Sequence, residues 1–343
     1  MRKAPESQHI VGEQPLPWKE PADFCFAPSW PKQAPGPPPV KNPVQHSSKL
    51  RTNDHLVKSN SINNREGVPT SVAGGLKKMM SEGQSRGMSE GKLLCEYAAN
   101  RCQAEMTQLL KSGADVNVFA KVDWQQFETT PLLEAATNGH KRLVRMLLEH
   151  GADPNTVVGP GWTALYNSCL NSHYDCVKLL IDYGARVDIL TDDKFSPLYI
   201  SCQVGDMDCT VECLGAEQGG MTKELAEFGP PELNGCTPLY IAVQNGFPNC
   251  VMKLLESGVN PDSPTAAGST PLMIAMYLAD TIGDKPHIDC AHLLLEHGAS
   301  LDAKDGEGKT PLDWCANDNS LIAMIEDEKE RRGEAAKGRS IFF

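Results

Sequence analysis

The chain has 343 residues and a net charge of −12, with 40% hydrophobic and 22% charged residues. At about 150 residues per domain this length predicts two units, and the composition excludes a wholly disordered chain. It also excludes a membrane bundle, because no apolar run reaches the roughly 18 residues that a spanning helix needs. Twelve cysteines without a recognisable secretory signal predict reduced thiols in a cytoplasmic or nuclear protein.

Charge is distributed unevenly along the chain. Residues 1–90 contain 12 basic and 8 acidic residues, whereas residues 91–343 contain 20 basic and 36 acidic residues. A segment this acidic repels phosphate backbones, so we expect no nucleic-acid binding through it. The same field would attract a basic protein partner.

The first 90 residues are predicted to be a disordered tail rich in Pro, Ser and Asn. Ten of the 29 positions from Pro15 to Pro43 are proline, which removes backbone donors and favours extended polyproline conformations. Lys32, Pro35 and Pro38 match the basic-x-x-Pro-x-x-Pro pattern that SH3 grooves bind, so an SH3-type contact is one interpretation. A solvated linker is the alternative, because such matches are frequent in proline-rich segments.

An internal repeat begins after Gly91. A Thr or Ser followed by Pro-Leu or Ala-Leu recurs with spacings of 33, 33, 41, 33 and 40 residues, at Thr130, Thr163, Ser196, Thr237, Thr270 and Thr310. A glycine lies 21 residues after the Thr in three units, at Gly151, Gly184 and Gly258. Such a period indicates a stack of supersecondary units. Projected backwards from Gly113, a first unit starts at Lys92.

These markers resemble those of the ankyrin repeat family, over about seven units between residues 92 and 330. The resemblance implies an all-α solenoid of helix-turn-helix units with β-hairpin-like fingers. The Thr or Ser suits the N-cap of a first helix, and the glycine suits the end of a second helix. Ordering 33 residues costs roughly 50 kcal/mol, so each unit depends on its neighbours for burial. We therefore divide the chain into a tail (1–90), an array (91–330) and a short C-terminal tail (331–343).

Four places depart from the repeat. The first finger, Phe119 to Glu128, is five residues too long. The Ser196 unit has a poor second helix at Cys209–Leu214, followed by an irregular loop to Pro231. The Thr270 unit carries seven extra residues, which we expect between its helices around Thr281–His287. The charged segment Glu326–Arg332 is predicted to be a capping helix with a polar outer face.

No motif predicts a cofactor, a metal site or catalysis, so we expect a non-enzymatic protein. Gly306–Thr310 is similar to the end of a phosphate-binding loop, but Ala303 occupies a required glycine position, and a finger is predicted instead. Four cysteines share one aliphatic repeat position and are predicted to be core residues: Cys176, Cys209, Cys250 and Cys290. Cys213 is extra to this register and is the thiol to test for reactivity. The competing hypothesis is an enzyme with a site in Cys209–Pro231.

The family resemblance implies that partners contact the finger tips and the exposed positions of the first helices. Carried over to this chain, the finger positions are Phe119, Trp124, Phe127, Trp162 and Phe195. The corresponding helix positions are Leu170, Asn171, Gln203, Gln244 and Tyr277. Projecting aromatic side chains are typical of binding hot spots. The alternative is that the long finger folds back and buries its aromatics, and the nearby Asp188, Asp192 and Asp193 favour a basic rim on the partner.

We therefore expect a monomeric protein-interaction scaffold or adaptor that binds a protein partner on the concave face. A narrower hypothesis is an adaptor that recruits substrates to a ubiquitin ligase, because the repeat variant looks like the ankyrin portion of SOCS-box adaptors. In that family a ligase-binding box follows the array. Here only a short charged segment follows Ile325, and the box is not recognisable. A regulatory or targeting subunit of a kinase or phosphatase is equally compatible with the sequence.

Overall fold

The computed structural model describes residues 89–123, 127–216, 221–315 and 318–339. The tail up to residue 88, with the SH3-type motif, and Trp124 lie outside the described residues. None of the helices described is both long and apolar enough to cross a membrane.

Six helix pairs and a shortened seventh unit follow one another along the described chain, as predicted. The first helices are α1 (Glu90–Ala99), α3 (Pro131–Thr137), α5 (Ala164–Leu170), α7 (Pro197–Val204), α10 (Pro238–Gln244) and α12 (Pro271–Ile282). The second helices are α2 (Gln103–Lys111), α4 (Lys141–Glu149), α6 (Tyr174–Asp182), α8 (Met207–Gly215), α11 (Pro248–Glu256) and α13 (Lys285–Glu296). An extra helix α9 (Met221–Glu227) follows α8, and a 3₁₀ turn (Pro231–Leu233) follows it. The seventh unit consists of a 3₁₀ turn (Pro311–Trp314) and the long helix α14 (Asn319–Arg339).

The repeated Thr or Ser caps the first helix of units two to six, as the sequence predicts, whereas Ser89 caps α1 three residues before the unit start predicted at Lys92. The Thr130 hydroxyl accepts a hydrogen bond from the backbone N–H of Leu133 at 3.3 Å, and the Ser196 hydroxyl accepts one from Tyr199 at 3.0 Å. The glycines that end the second helices have positive φ, +88° at Gly151 and +85° at Gly184. Only glycine adopts this conformation without strain, which explains its recurrence.

Each unit buries its apolar face against the next unit. First helices pack on first helices throughout the array, and second helices pack on second helices from α4 to α13. The four cysteines at the shared aliphatic position are at most 1% exposed, in agreement with the core role predicted for them: Cys176, Cys209, Cys250 and Cys290. Fully burying one large aliphatic side chain contributes about 2 kcal/mol, so the stacking supplies the burial that one helix pair lacks.

Histidines in the turns between helices link neighbouring units. The Nε2 atom of His140 lies 3.0 Å from the Ala99 carbonyl oxygen, and that of His173 lies 3.1 Å from the Thr137 oxygen. A carbonyl oxygen only accepts, so each ring donates through Nε2. Each bond satisfies a carbonyl at the end of the preceding first helix, which would otherwise have no intrahelical partner.

Two asparagines make a second set of bonds between units. Asn155 donates its side-chain amide to the Gly184 carbonyl oxygen at 3.1 Å and accepts the backbone N–H of Arg186 at 2.7 Å. Asn117 makes the equivalent pair of bonds with the unit that follows it. Both residues lie four positions after a helix-ending glycine, and this spacing is a further marker of the repeat.

Among the described residues, only the first finger contains a pair of β-strands. Strand β1 (Ala120–Lys121) pairs antiparallel with β2 (Glu128–Thr129), and the second finger has a single bridge between Val158 and Trp162. The other described fingers are turns joined through their backbones, as where the Asp192 N–H donates to the Pro160 oxygen at 3.1 Å. The predicted β-hairpin is therefore present at the first finger, whereas the other described fingers form turns.

The Ser196 unit is more regular than predicted. Its second helix α8 is nine residues long, as are four of the other second helices, because Asp206 caps it by accepting the Cys209 N–H at 3.0 Å. The prediction of a poor helix is therefore wrong. Part of the following irregular segment forms α9, whose Leu225 and Ala226 are buried against the core.

The seven extra residues of the Thr270 unit lengthen its helices instead of forming a loop. Helices α12 and α13 each have 12 residues, and only Gly283 and Asp284 separate them. Gly283 adopts φ of +69° to end α12, and the Asp284 carboxylate caps α13. The expectation of a loop around Thr281–His287 is therefore wrong, because good capping residues let both helices grow by about one turn.

The predicted capping helix is present, and it continues through Arg339, past the boundary that we placed at residue 330. Arg332 donates to the Leu295 carbonyl oxygen at 3.0 Å and to the Ala299 oxygen at 2.8 Å. Glu328 pairs with Arg332 and with Arg331. Charged side chains of α14 thus satisfy the carbonyls at the end of α13, where a further unit would otherwise pack.

We expect the array to become less stable as the pH is lowered from 7.5 to 5.5. Burial lowers the pKa of His140 and His173, so the folded state holds both neutral. The unfolded chain binds the protons below its ordinary histidine pKa of about 6.5, which favours unfolding in that range. The urea midpoints at the two pH values measure the effect.

The matched variant for this measurement is His140→Gln combined with His173→Gln. Its midpoint should change less between pH 7.5 and 5.5 than that of the wild type, although it starts lower. An equal change in both proteins would assign the pH dependence to other groups.

Candidate protein-binding surface

The first finger is attached to the start of the array by charge and by close packing. Lys92 on α1 pairs with Asp123 at 2.8 Å between Nζ and Oδ1. Gly91 lies so close to Val118 that an added Cβ would meet the side chain at 2.5 Å. These contacts fix the finger on which Phe119 is 51% exposed.

Phe127 and Trp162 form an aromatic contact between the first two fingers. Their ring centroids are 6.2 Å apart with the planes at 87°, an edge-to-face geometry. Trp162 is half-buried and is held by two backbone hydrogen bonds with Val158, both 2.8 Å long. Phe127 also lies against Gly159, where an added Cβ would come within 3.1 Å of its ring.

This contact combines the two interpretations of the long finger. Phe127 packs on its neighbour, as the folded-back alternative requires, yet 42% of it stays exposed. The arrangement therefore holds an aromatic surface in place and leaves it open to solvent.

Phe195 belongs to a separate aromatic group on the third finger. Its ring packs on Tyr199 with a centroid distance of 5.1 Å, and the residue is half-buried. Thr191 closes the finger by donating its N–H to the Phe195 oxygen and accepting the Phe195 N–H on its hydroxyl, both at 3.0 Å. Phe195 thus presents one edge to solvent on a rigid turn.

Four of the predicted residues on the first helices lie at the C-terminal ends of those helices, whereas Tyr277 lies in the middle of the lengthened α12. All of them are half-buried, apart from Asn171. Leu170 packs against the core, whereas Asn171 is exposed and bonds back to the Asn167 carbonyl at 2.8 Å. The half-buried members are Leu170, Gln203, Gln244 and Tyr277. Tyr277 packs edge-to-face on Trp314 at 5.7 Å. The structure therefore brings together Phe127 and Trp162, and it places Phe195 and Tyr277 in two further groups.

Only part of the acidic surface near these fingers is free of ion pairing. Arg186 binds Asp188 through Nη2 at 2.6 Å, and this contact holds the pKa of the Asp188 carboxyl below its ordinary value. Asp192 and Asp193 are exposed on the third finger. Both of these carboxylates are available to a basic group on a partner.

Sequence reasoning missed several exposed apolar side chains. Val157 on the second finger is 48% exposed, and Ile282, at the end of the lengthened α12, is 57% exposed. No periodicity identifies them, because their exposure depends on where the neighbouring unit ends. Tyr183 is 42% exposed at the end of α6, outside the finger tips, and provides a matched control for Phe127.

The buried thiols of the described residues lie in the hydrophobic core. The Sγ atoms of Cys169 and Cys213 are 3.7 Å apart, and both side chains are at most 1% exposed. Contacts with Cys209 and Cys213, together with burial, raise the pKa of Cys169. No group of three or more metal-ligating residues is present in the part of the chain that the structure describes. Ten of the described cysteines are free thiols.

The irregular Cys209–Pro231 segment contributes Cys213, Ala216 and Leu225 to the main hydrophobic core. Its described polar groups bond to neighbouring helices: Glu212 accepts a hydrogen bond from the Tyr174 hydroxyl at 3.0 Å, and the Thr210 hydroxyl donates to Ser201 at 3.1 Å. The Gly306–Thr310 segment forms a finger, closed where the Asp305 N–H donates to the Lys309 oxygen at 3.0 Å.

The ankyrin-repeat architecture agrees with comparisons to known proteins. The sequence family described as Ankyrin repeats (3 copies) matches residues 76–158, 94–191, 154–220 and 198–305. This chain belongs to the ankyrin-repeat family. Such repeats are in general non-enzymatic modules that bind proteins.

Individual relatives cover only part of this chain. Ankyrin repeat and SOCS box protein 11 of Danio rerio is 34% identical over 116 residues, which are 26% of this chain and 39% of that protein. The palmitoyltransferase ZDHHC13 of Pongo abelii is 37% identical over 153 residues, 43% of this chain and 23% of the enzyme. The chain thus spans less than half the length of these relatives. The crystal structure of the human ASB11 ankyrin repeat domain superimposes with a TM-score of 0.55 at 28% identity, covering 68% of this chain and 96% of that domain.

We expect Cys213 to be unreactive in the folded protein. Its side chain is 1% exposed, whereas Cys102 is half-buried at the start of α2. A maleimide reagent should therefore label Cys213 at least about 100-fold more slowly than Cys102, because labelling requires local unfolding. Peptide mapping after timed labelling measures both rates in one sample, and equal rates would show that Cys213 is accessible.

Proposed function

We propose that this protein is a non-enzymatic adaptor that binds a protein partner across its finger tips and the adjoining ends of its first helices. The exposed edge-to-face pair of Phe127 and Trp162 is the observation that carries the proposal. Covering large aromatic side chains in a water-excluding interface is the commonest source of strong binding energy.

Preorganisation is the mechanism. The first finger is held by the pairing of β1 with β2 and by the packing of Gly91 on Val118, and Trp162 is held by its backbone bonds to Val158. A partner therefore loses little affinity to ordering of this surface, and most of the contact energy contributes to binding. Asp192 and Asp193 would speed association with a partner that has a basic rim. We further propose that the protein acts as a monomer in the cytoplasm or nucleus.

We expect Phe127→Ala, Trp162→Ala and Phe195→Ala each to weaken partner binding about fivefold or more, because each removes an aromatic contact. The partner is first identified by proximity labelling with the full chain, and its Kd is then measured with purified proteins. Tyr183→Ala is the control, and thermal melting verifies that every variant is folded. Unchanged Kd values in folded variants would place the binding surface elsewhere.

A second candidate function is the recruitment of substrates to a ubiquitin ligase. It is favoured by the similarity to ankyrin repeat and SOCS box protein 11, both in sequence and in the fold of its ankyrin domain. On this hypothesis the fingers bind the substrate, and another part of the protein binds the ligase. A regulatory subunit of a kinase or phosphatase remains a prediction from the sequence.

Co-purification separates the two functions. If the ligase hypothesis holds, tagged full-length protein should retain elongin and cullin subunits at near-stoichiometric amounts. Phe127→Ala should keep these subunits and lose the substrate, because the two surfaces are distinct. Absence of both subunits from the wild-type complex would reject the ligase role and leave the adaptor role intact.

A further inference from the structure

The first two fingers expose an apolar surface that is fixed in position. We define the finger patch as Phe127, Val157 and Trp162. Phe127 and Val157 are 42% and 48% exposed, and Trp162 supports Phe127 from the second finger. Removing apolar area from water contributes about 25 cal/mol per Å², so an occupant that covers these side chains is favoured.

The described chain begins beside the first finger. Ser89 caps α1, and Lys92, in the first turn of α1, pairs with Asp123 of the first finger. Gly91 packs on Val118 just before β1. Whatever precedes Ser89 therefore leaves the array next to the finger that carries Phe127.

We propose that residues 28–43 of this same chain bind the finger patch. This segment contains seven prolines in 16 residues, which favours the polyproline II conformation. Segments of this kind dock on exposed aromatic side chains, and they lose little entropy because their conformation is preset. The patch offers such rings at Phe127 and Trp162.

The charges of the two surfaces are complementary. Residues 28–43 contain Lys32 and Lys41 and no acidic residue, whereas residues 91–343 have 36 acidic and 20 basic residues. Asp192 and Asp193 lie exposed on the third finger, which is bonded through its backbone to the second. The lysines that flank the prolines thus have carboxylates close to the patch.

The connection is long enough for this contact to form within one molecule. Between Pro43 and Ser89 lie 45 residues, which span up to about 150 Å when fully extended. A tethered ligand of this kind has an effective concentration on the order of 1 mM, so modest contacts suffice. Docking would make the tail a competitor of any partner at the fingers. That consequence rests on the proposed function, whereas the docking itself does not.

Carbodiimide cross-linking of the dilute full-length protein tests the proposal, because it joins lysines directly to carboxylates in contact. We expect Lys32 and Lys41 to be linked to Glu128, Asp192 and Asp193. Phe127→Ala should lower this yield about fivefold. Tyr183→Ala removes an aromatic side chain of equal exposure, 42%, that is not part of the patch and should leave the yield unchanged.

A tail variant leaves the array untouched and keeps the test independent of folding. Replacing Pro37, Pro38 and Pro39 by serine should lower the yield as Phe127→Ala does. In an equal mixture of ¹⁴N-labelled and ¹⁵N-labelled protein, both peptides of each cross-link should carry the same isotope, because the contact forms within one molecule.

Three results would overturn the proposal. Cross-links spread evenly over the carboxylates of the array would show attraction without a site, and cross-links between isotopes would identify a second copy as the occupant. A yield unaffected by Phe127→Ala would remove the patch from the contact. No partner is present in this assay, so its failure leaves the proposed function standing.

Discussion

The structure depends on the contact between neighbouring units, because no single helix pair of this length buries enough apolar surface to be stable. Leu165, Leu198 and Leu239 occupy the same position in successive first helices, and each is at most 2% exposed. Their burial is shared between units, so the stability of one unit depends on the presence of the next. The ends of such a stack are its weak points, and α14 covers one end with charged side chains that bond to the last second helix.

Polar bonds between units fix the spacing that the apolar contacts alone would leave adjustable. His140 and His173 satisfy carbonyls of the preceding unit, and Asn155 satisfies backbone groups of the following one. These bonds lie at the turns, so an insertion is tolerated where it leaves the turns in place. The Thr270 unit shows this, since its extra residues extend both helices and keep the Gly283 turn short.

Surface properties follow from the same geometry. The fingers stack through their backbones, which leaves side chains at their tips free to contact other molecules. The rings of Phe127 and Trp162 pack on each other, and 42% of Phe127 stays exposed to solvent. The acidic character of the array adds long-range attraction for basic groups, while the aromatic pair supplies short-range contact energy.

The sequence by itself determined the fold, the number of units and the caps of the regular first helices, because these follow from local chemistry that recurs with a fixed period. Thr130 caps a helix and Gly151 ends one for reasons contained within a few residues of the chain. The tertiary structure alone decided how Phe127 meets Trp162, that Asp188 is neutralised by Arg186, and that the extra residues of the Thr270 unit are helical. Each of these depends on the distance to a neighbouring finger, side chain or cap, and a period in the sequence does not contain that distance.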